Sequence, residues 1–256
     1  MLLCWLVMCG IFGALTQKEN VSLDIYEALT MLQHRGQDSA GIVTFDGRFF
    51  HERKDNGLVR EVFQKRHLEK LIGSAGIGHV RYPTAGTLDA SAAQPFFVNS
   101  PFGMYLIHNG NLTNTDFLRK KVTGKYRRHL LTDSDSELLL NVFANALYKI
   151  LKESKDEDKV EHVFDAVCMT MDRIKGAYSV ILFIDKVGLV AFRDPNGIRP
   201  LSFGKRGKKD YSFASEDIAF APIGFKKIRD VDPGEAVLVD MEGNVHTREG
   251  IQGERH

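Results

Sequence analysis

Two stretches of strand-like sequence bracket one pair of amphipathic helical patterns, and this order limits the fold more than any other feature of the 256 residues. The first helical pattern opens at Ser134-Asp135-Ser136-Glu137. With Ser134 as N-cap and Glu137 at the third helical position, it reads as a capping box. It continues through Leu138, Leu139, Val142 and Leu147 to about Leu151, and Lys152–Lys159 is a charged connector. Val160, Val163, Phe164, Val167, Met171 and Ile174 recur at helical spacing in the second pattern, which Gly176 closes. Upstream, Cys9–Leu15 reads as a short buried strand. Ser22 is positioned to cap a helix to about Gln33, with Ile25, Tyr26, Leu29 and Leu32 on one face and Arg35-Gly36 at its end. Ile42–Phe45 and Phe49–Glu52 flank Asp46-Gly47, a hairpin signal. Ala75–Val80 and Met104–His108 are further strands. Downstream come Tyr178–Ile184, Leu189–Phe192, Leu201–Phe203, Tyr211–Ala214 and Ala236–Val239. The alternation is too irregular for a doubly wound parallel sheet. It suits an α+β domain with helices outside stacked antiparallel sheets.

Charge and cysteine usage exclude several functions. Thirty-four basic residues nearly cancel 33 acidic ones, so no global field draws the chain to nucleic acid or an anionic membrane. Three cysteines, Cys4, Cys9 and Cys168, are too few for a disulfide framework and lack zinc-ligand spacing, which fits a reducing compartment and no metal site. Cys168 falls within an apolar helical pattern and reads as a core residue. Residues 1–8, MLLCWLVM, are apolar but too short for a signal sequence or a bilayer span. A lipoprotein box ending at Cys9 fails on Met8, where a small residue is needed. A leader, a propeptide or a mis-assigned start are the readings of this segment.

Candidate chemistry begins at Cys9-Gly10-Ile11-Phe12-Gly13. A thiol is nucleophilic only as thiolate, and no sequence segment pairs a histidine with Cys9. If Cys9 became residue one, its own α-amine, with a reference pKa of about 7.7–8.0, would serve as a base placed without further ordering. A buried cysteine at a strand start is the competing reading. His79-Val80-Arg81-Tyr82-Pro83-Thr84 follows a strand into a loop, and Arg81 offers a planar fork to a carboxylate or a surface salt bridge. In His108-Asn109-Gly110-Asn111-Leu112, Asn109 and Gly110 supply two N–H donors for an oxyanion, or a plain turn. Asp135, in the first turn of a capped helix, either binds an ammonium group or supports the helix.

Taken in order, these motifs, with Gln33-His34-Arg35-Gly36-Gln37-Asp38-Ser39-Ala40-Gly41 as the second, resemble class II glutamine amidotransferases, which are N-terminal-nucleophile hydrolases. The likeness runs from Cys9 to about Glu235. The His34–Asp38 and Phe192–Leu201 segments look like the amidophosphoribosyltransferase branch. The resemblance implies a four-layer αββα sandwich, with residues 9–256 as the glutaminase domain. It implies Cys9 as nucleophile with its α-amine as base, and Asn109 and Gly110 as oxyanion hole. Arg81 would hold the glutamine α-carboxylate and Asp135 its α-ammonium, while Arg35, Gly36, His79 and Thr84 shape the pocket. In that branch a phosphoribosyltransferase domain follows, using Mg and, in some members, carrying an iron–sulfur cluster. No phosphate loop of that kind occurs here, so no cofactor is expected in this chain. A cytoplasmic enzyme, homo-oligomeric at full length, is implied, with a phosphoribosyltransferase domain or subunit as partner and no membrane or nucleic-acid role. Another class II amidotransferase, or a silent glutamine-binding module, are the alternatives.

Overall fold

The computed structural model of the chain describes residues 8–17, 20–82 and 90–250. The strands in chain order are β1 (Gly10–Leu15), β2 (Ser39–Phe45), β3 (Phe50–Asn56), β4 (Ala75–Arg81), β5 (Phe96–Val98), β6 (Met104–Leu112), β7 (Gly176–Ile184), β8 (Gly188–Arg193), β9 (Ser202–Arg206), β10 (Asp210–Ala214), β11 (Lys226–Asp230), β12 (Glu235–Asp240) and β13 (Val245–Glu249). The helices are α1 (Ser22–Met31), the single turns α2 (Val59–Val62) and α3 (Lys65–Leu68), α4 (Thr115–Lys120), α5 (Asp135–Glu153) and α6 (Lys159–Met171).

One sheet has the order β11-β9-β10-β1-β4-β2-β3 and the other β13-β12-β8-β7-β6-β5, each antiparallel throughout. Side-chain alternation sorts each central strand between two cores. In β1, Ile11 and Leu15 face the second sheet and cluster with Ile77 of β4 and, across the layer, with Ile107, Ile181 and Leu189, while Phe12 and Ala14 face Ile25 and Leu29 of α1. Gly13 shares this face without room for a side chain: a Cβ there would come within 2.9 Å of Ile181 Cγ2 and 3.2 Å of Ile77 Cγ2. The far face of the six-stranded sheet carries Leu106, Leu182 and Phe192 against Leu139, Phe143 and Phe164 of α5 and α6. Each fully buried Leu, Ile or Phe contributes about 1.5–3 kcal/mol. The layers are thus α1, sheet, sheet, α5–α6, the expected αββα sandwich.

Local departures from the sequence reading have identifiable causes. Ser22 is already helical. The residue that caps its amide is Asn20, whose Oδ1 accepts from Ser22 N at 2.9 Å. Strands β5, β11 and β13 lie at or next to sheet edges, and the sequence lacked a signal for them; β11, Lys-Lys-Ile-Arg-Asp, has no buried face to impose alternation. The Asp46-Gly47 turn holds, with Asp46 Oδ1 accepting from Arg48 N and Phe49 N. These bonds and His51 draw the Asp46 carboxyl down to about 2. Cys168 is half-buried rather than a core residue, on the α6 flank that meets Arg248. No helix among the described residues is long and apolar enough to cross a membrane.

Candidate active site

Strand β1 begins, β4 ends and β6 ends at one end of the sandwich, and there a cleft of about 590 Å³ opens. Its walls include Cys9, Arg81, Tyr82, Gln94, His108, Gly110 and the run Leu131–Ser136. A second hollow, of about 660 Å³, lies at the connector between α5 and α6, lined by Phe102, Leu151, Val160, Lys159, His162 and the acidic run 156–158.

Cys9 immediately precedes β1. Its carbonyl accepts from Arg35 Nε at 2.9 Å, and the next turn of chain is fixed by Ser215, whose Oγ accepts from Ile11 N at 3.0 Å. Burial pushes the thiol pKa up. The backbone N–H of Tyr82 and the Arg81 and Arg35 guanidiniums act against that, and Asp135 adds to it. Arg35 is itself buried and pairs through Nη1 with Glu216, which also meets His34 Nε2 at 3.2 Å. The Arg35 side chain therefore anchors the nucleophile's backbone and is not part of the cleft wall. Gly36 lets this turn lie on the end of β4, since a Cβ there would stand 2.5 Å from Arg81 C and 2.6 Å from Val80 O.

Arg81 reaches the cleft and is held by Asp38, which accepts from its Nη1 at 2.7 Å. His79, two residues earlier, faces the inter-sheet layer, is fully buried and lies beneath the cleft rather than on its wall. Its ring nitrogens have no normal hydrogen bond, although the His108 carbonyl lies nearby. Burial first, then the His108 and Arg81 charges, depress its pKa to about 3. His108 is also buried and depressed by burial and by Arg199, with Asp135 opposing; its Nδ1 lies 3.0 Å from Ser136 Oγ. Gln94 clamps this strand, with Oε1 accepting from His108 N at 2.7 Å and Nε2 donating to the His108 carbonyl at 3.2 Å and to Ser136 Oγ at 3.0 Å.

Asn109 precedes Gly110 in β6 but is 1% exposed and not among the residues that line the cleft, and neither of its amide atoms has a hydrogen-bond partner, a costly state for a buried group. Gly110 lines the cleft, and a Cβ there would stand 2.1 Å from the Ala177 carbonyl, so no other residue fits. Asp135, first in α5, accepts from Leu112 N at 3.0 Å and so ties the helix to the end of β6. Ser134 is the N-cap, accepting from Ser136 N at 3.2 Å, but Glu137 does not complete a capping box. Its carboxylate turns to Leu131 and Thr132. Thr84 and Cys4 lie outside the described residues. Nothing in the sequence alone points to Asp38, Gln94, Ser215, Glu216 or Glu137 as supports of the cleft. Asp38 and Glu137 sit inside motifs already singled out, whereas Glu216 meets Arg35 across 181 positions without a local signal.

Comparison with known proteins gives one answer. The family described as glutamine amidotransferase domain matches residues 79–222. Curated relatives include the amidophosphoribosyltransferases of Pasteurella multocida, 54% identical, and Escherichia coli, 51% identical, each over 94% of this chain and 48% of the relative. The chain therefore spans about half the length of the curated relatives it matches. Among solved structures, the glutamine phosphoribosylpyrophosphate amidotransferase from B. subtilis, complexed with ADP and GMP, is 34% identical. It superposes with a TM-score of 0.79 over 94% of this chain and 49% of that one. A glutamine aminotransferase class-II domain protein from Silicibacter pomeroyi, 14% identical with a TM-score of 0.54, covers 94% of this chain and 99% of its own and shares the fold. With the family match over more than half of its residues and the sandwich in place, the chain belongs to the glutamine amidotransferase domain family.

Proposed function

We propose that this chain hydrolyses L-glutamine to glutamate and ammonia through a γ-glutamyl thioester on Cys9, as the glutaminase half of an amidophosphoribosyltransferase. The observation that carries the reading is the cleft itself, where a cysteine, an arginine, an aspartate and a glycine line common walls at Cys9, Arg81, Asp135 and Gly110.

Arg81 takes the substrate α-carboxylate and Asp135 its α-ammonium, so that the side-chain amide reaches Sγ of Cys9. A thiol whose pKa is raised by burial is not a standing thiolate, so a base must take its proton as sulfur attacks. That base is the α-amine of Cys9 once the Met8–Cys9 peptide bond has been hydrolysed, because an amide nitrogen is not basic. As the S–C bond forms, the carbonyl oxygen becomes an oxyanion held by the Asn109 amide and the Gly110 N–H. The C–N bond then breaks, the leaving nitrogen takes the proton from the α-ammonium, and ammonia departs. Water, deprotonated by the same amine, cleaves the thioester and restores the thiol. Arg35 and Gly36 serve this site by fixing the backbone around Cys9 and Arg81, and His79 supports it from beneath.

The ammonia acceptor is phosphoribosyl pyrophosphate, bound with Mg on a phosphoribosyltransferase domain or subunit, in a cytoplasmic homo-oligomer. Among the described residues no group of three or more His, Cys, Asp or Glu side chains comes together to hold a metal ion. The test compares a protein retaining residues 1–8, with cleavage blocked, and one beginning at Cys9, each verified by intact mass. Glutamate release and labelling of Cys9 by a glutamine-analogue electrophile are expected from the short form only. Equal activity from the verified long form would overturn the amine-as-base mechanism.

A further inference from the structure

We infer that Glu137 is the positioning residue that holds one wall of the glutamine cleft in register with Asp135. Glu137 stands in the first turn of α5 and is only 6% exposed. Its Oε1 accepts from Leu131 N at 2.8 Å, and its Oε2 from Thr132 N at 2.8 Å and Thr132 Oγ1 at 2.7 Å. Thr132 Oγ1 in turn accepts from Ser134 N at 3.1 Å, so one buried carboxylate ties the segment before the helix to the helix itself. On the other side, Arg119 Nη2 donates to the Asp133 carbonyl at 3.0 Å and Nη1 to the Thr132 carbonyl at 3.4 Å. The segment so held, Leu131–Ser134, forms cleft wall beside Asp135, although Leu131 is 84% exposed. A capping glutamate would serve only the helix end. This one leaves Ser134 N to Thr132 and spends its acceptors on the wall. A carboxylate that accepts three donors cannot be replaced by an amide, which offers one acceptor oxygen and two donors that meet other donors.

The inference rests on the glutaminase reading for its kinetic consequence, and its structural part is measured separately. In the protein beginning at Cys9, Glu137→Gln is expected to raise the KM for glutamine at least tenfold with kcat within about threefold. The rate of Cys9 alkylation by iodoacetamide, which has no amino-acid end to be held, should be unchanged. Amide hydrogen exchange at Leu131 and Thr132 should accelerate at least tenfold while exchange in β6 stays as in the parent. Thr132→Val, which removes one of the three donors to Glu137 together with the acceptor of Ser134 N, is expected to give the same pattern at about threefold and serves if Glu137→Gln does not fold. Unchanged exchange at Leu131 and Thr132 in a folded variant overturns the clamp. Faster exchange with unchanged KM overturns its link to the substrate. A parent protein without glutaminase activity sinks the functional reading, and the exchange arm still decides the clamp.

Discussion

His79→Gln should reduce the acid sensitivity of the fold by a definite amount. The imidazole is buried between the sheets and held neutral, with a pKa near 3 against an ordinary value of about 6.5 in the unfolded chain. His108 and Arg81 are the charged or chargeable groups that face it, and both disfavour its protonation. Between those two pKa values the unfolded state binds a proton that the folded state refuses, so stability rises with pH and is complete above about 6.5. Going down from pH 7 to pH 5 crosses about one and a half units of this window. At about 1.4 kcal/mol per unit, His79 alone accounts for about 2 kcal/mol of lost stability. His108, depressed in the same direction, adds to the parent's slope and remains in the variant. The assay is urea unfolding at pH 7 and pH 5 for both proteins, accepted only where the m-values agree. A neutral amide at this position should cut the pH 7-to-5 difference by about 2 kcal/mol. The same difference in both proteins would show that His79 is protonated in the fold and that the burial argument is wrong.

Three further outcomes follow from the site. Asp38→Asn leaves the Arg81 guanidinium, 12% exposed, without its 2.7 Å carboxylate. Breaking such a buried pair costs about 3–5 kcal/mol, which contact with cleft water trims to about 2–3, read as a shift in urea midpoint; a loss below about 1 would mean the pair behaves as an exposed one. Arg81→Ala and Asp135→Ala should each raise the KM for glutamine strongly and lower kcat less than kcat/KM, and an unchanged KM in both would end their assignment to the substrate's amino-acid end. Asn109→Ala should lower turnover by about two to three orders of magnitude, with calorimetric glutamine binding to a Cys9→Ala background nearly intact; loss of binding instead would make Asn109 a ground-state contact.

What the sequence made legible follows its periodicities. The strands of the two sheet centres and the helices α5 and α6 carry alternation or helical spacing because both of their faces, or one whole stripe, are buried, as in β1 and in Leu139–Phe143. Edge strands such as β11 bury no face and left no pattern. The cleft residues Cys9, Arg81, Gly110 and Asp135 were readable because each sits in a motif at the end of an element. Their supports were not, because they are tertiary. Glu216 reaches Arg35 from the far end of the chain, and Gln94 reaches His108 from a loop. Glu137 departs from its capping-box pattern, because a glutamate three residues after an N-cap serine has a local partner available, and only the folded wall shows that it bonds Leu131 and Thr132 instead.

The thiol of Cys9 leads into the seven-stranded sheet, whereas Asn109 and Gly110 belong to the six-stranded one. The two halves of the candidate site are mounted on separate plates, and the apolar layer between them acts as a shim whose thickness sets their separation. Gly13 is a point of close approach in it. A methyl group added there would press on Ile181 and Leu189 of the opposite plate, at 2.9 and 3.3 Å, and so bear on the spacing that sets the attack geometry, although the changed atom touches neither thiol nor oxyanion donor. Variants that swell or thin this layer should therefore alter turnover while the lining of the cleft keeps its composition, which makes the sandwich's interior an adjustment screw for its rim.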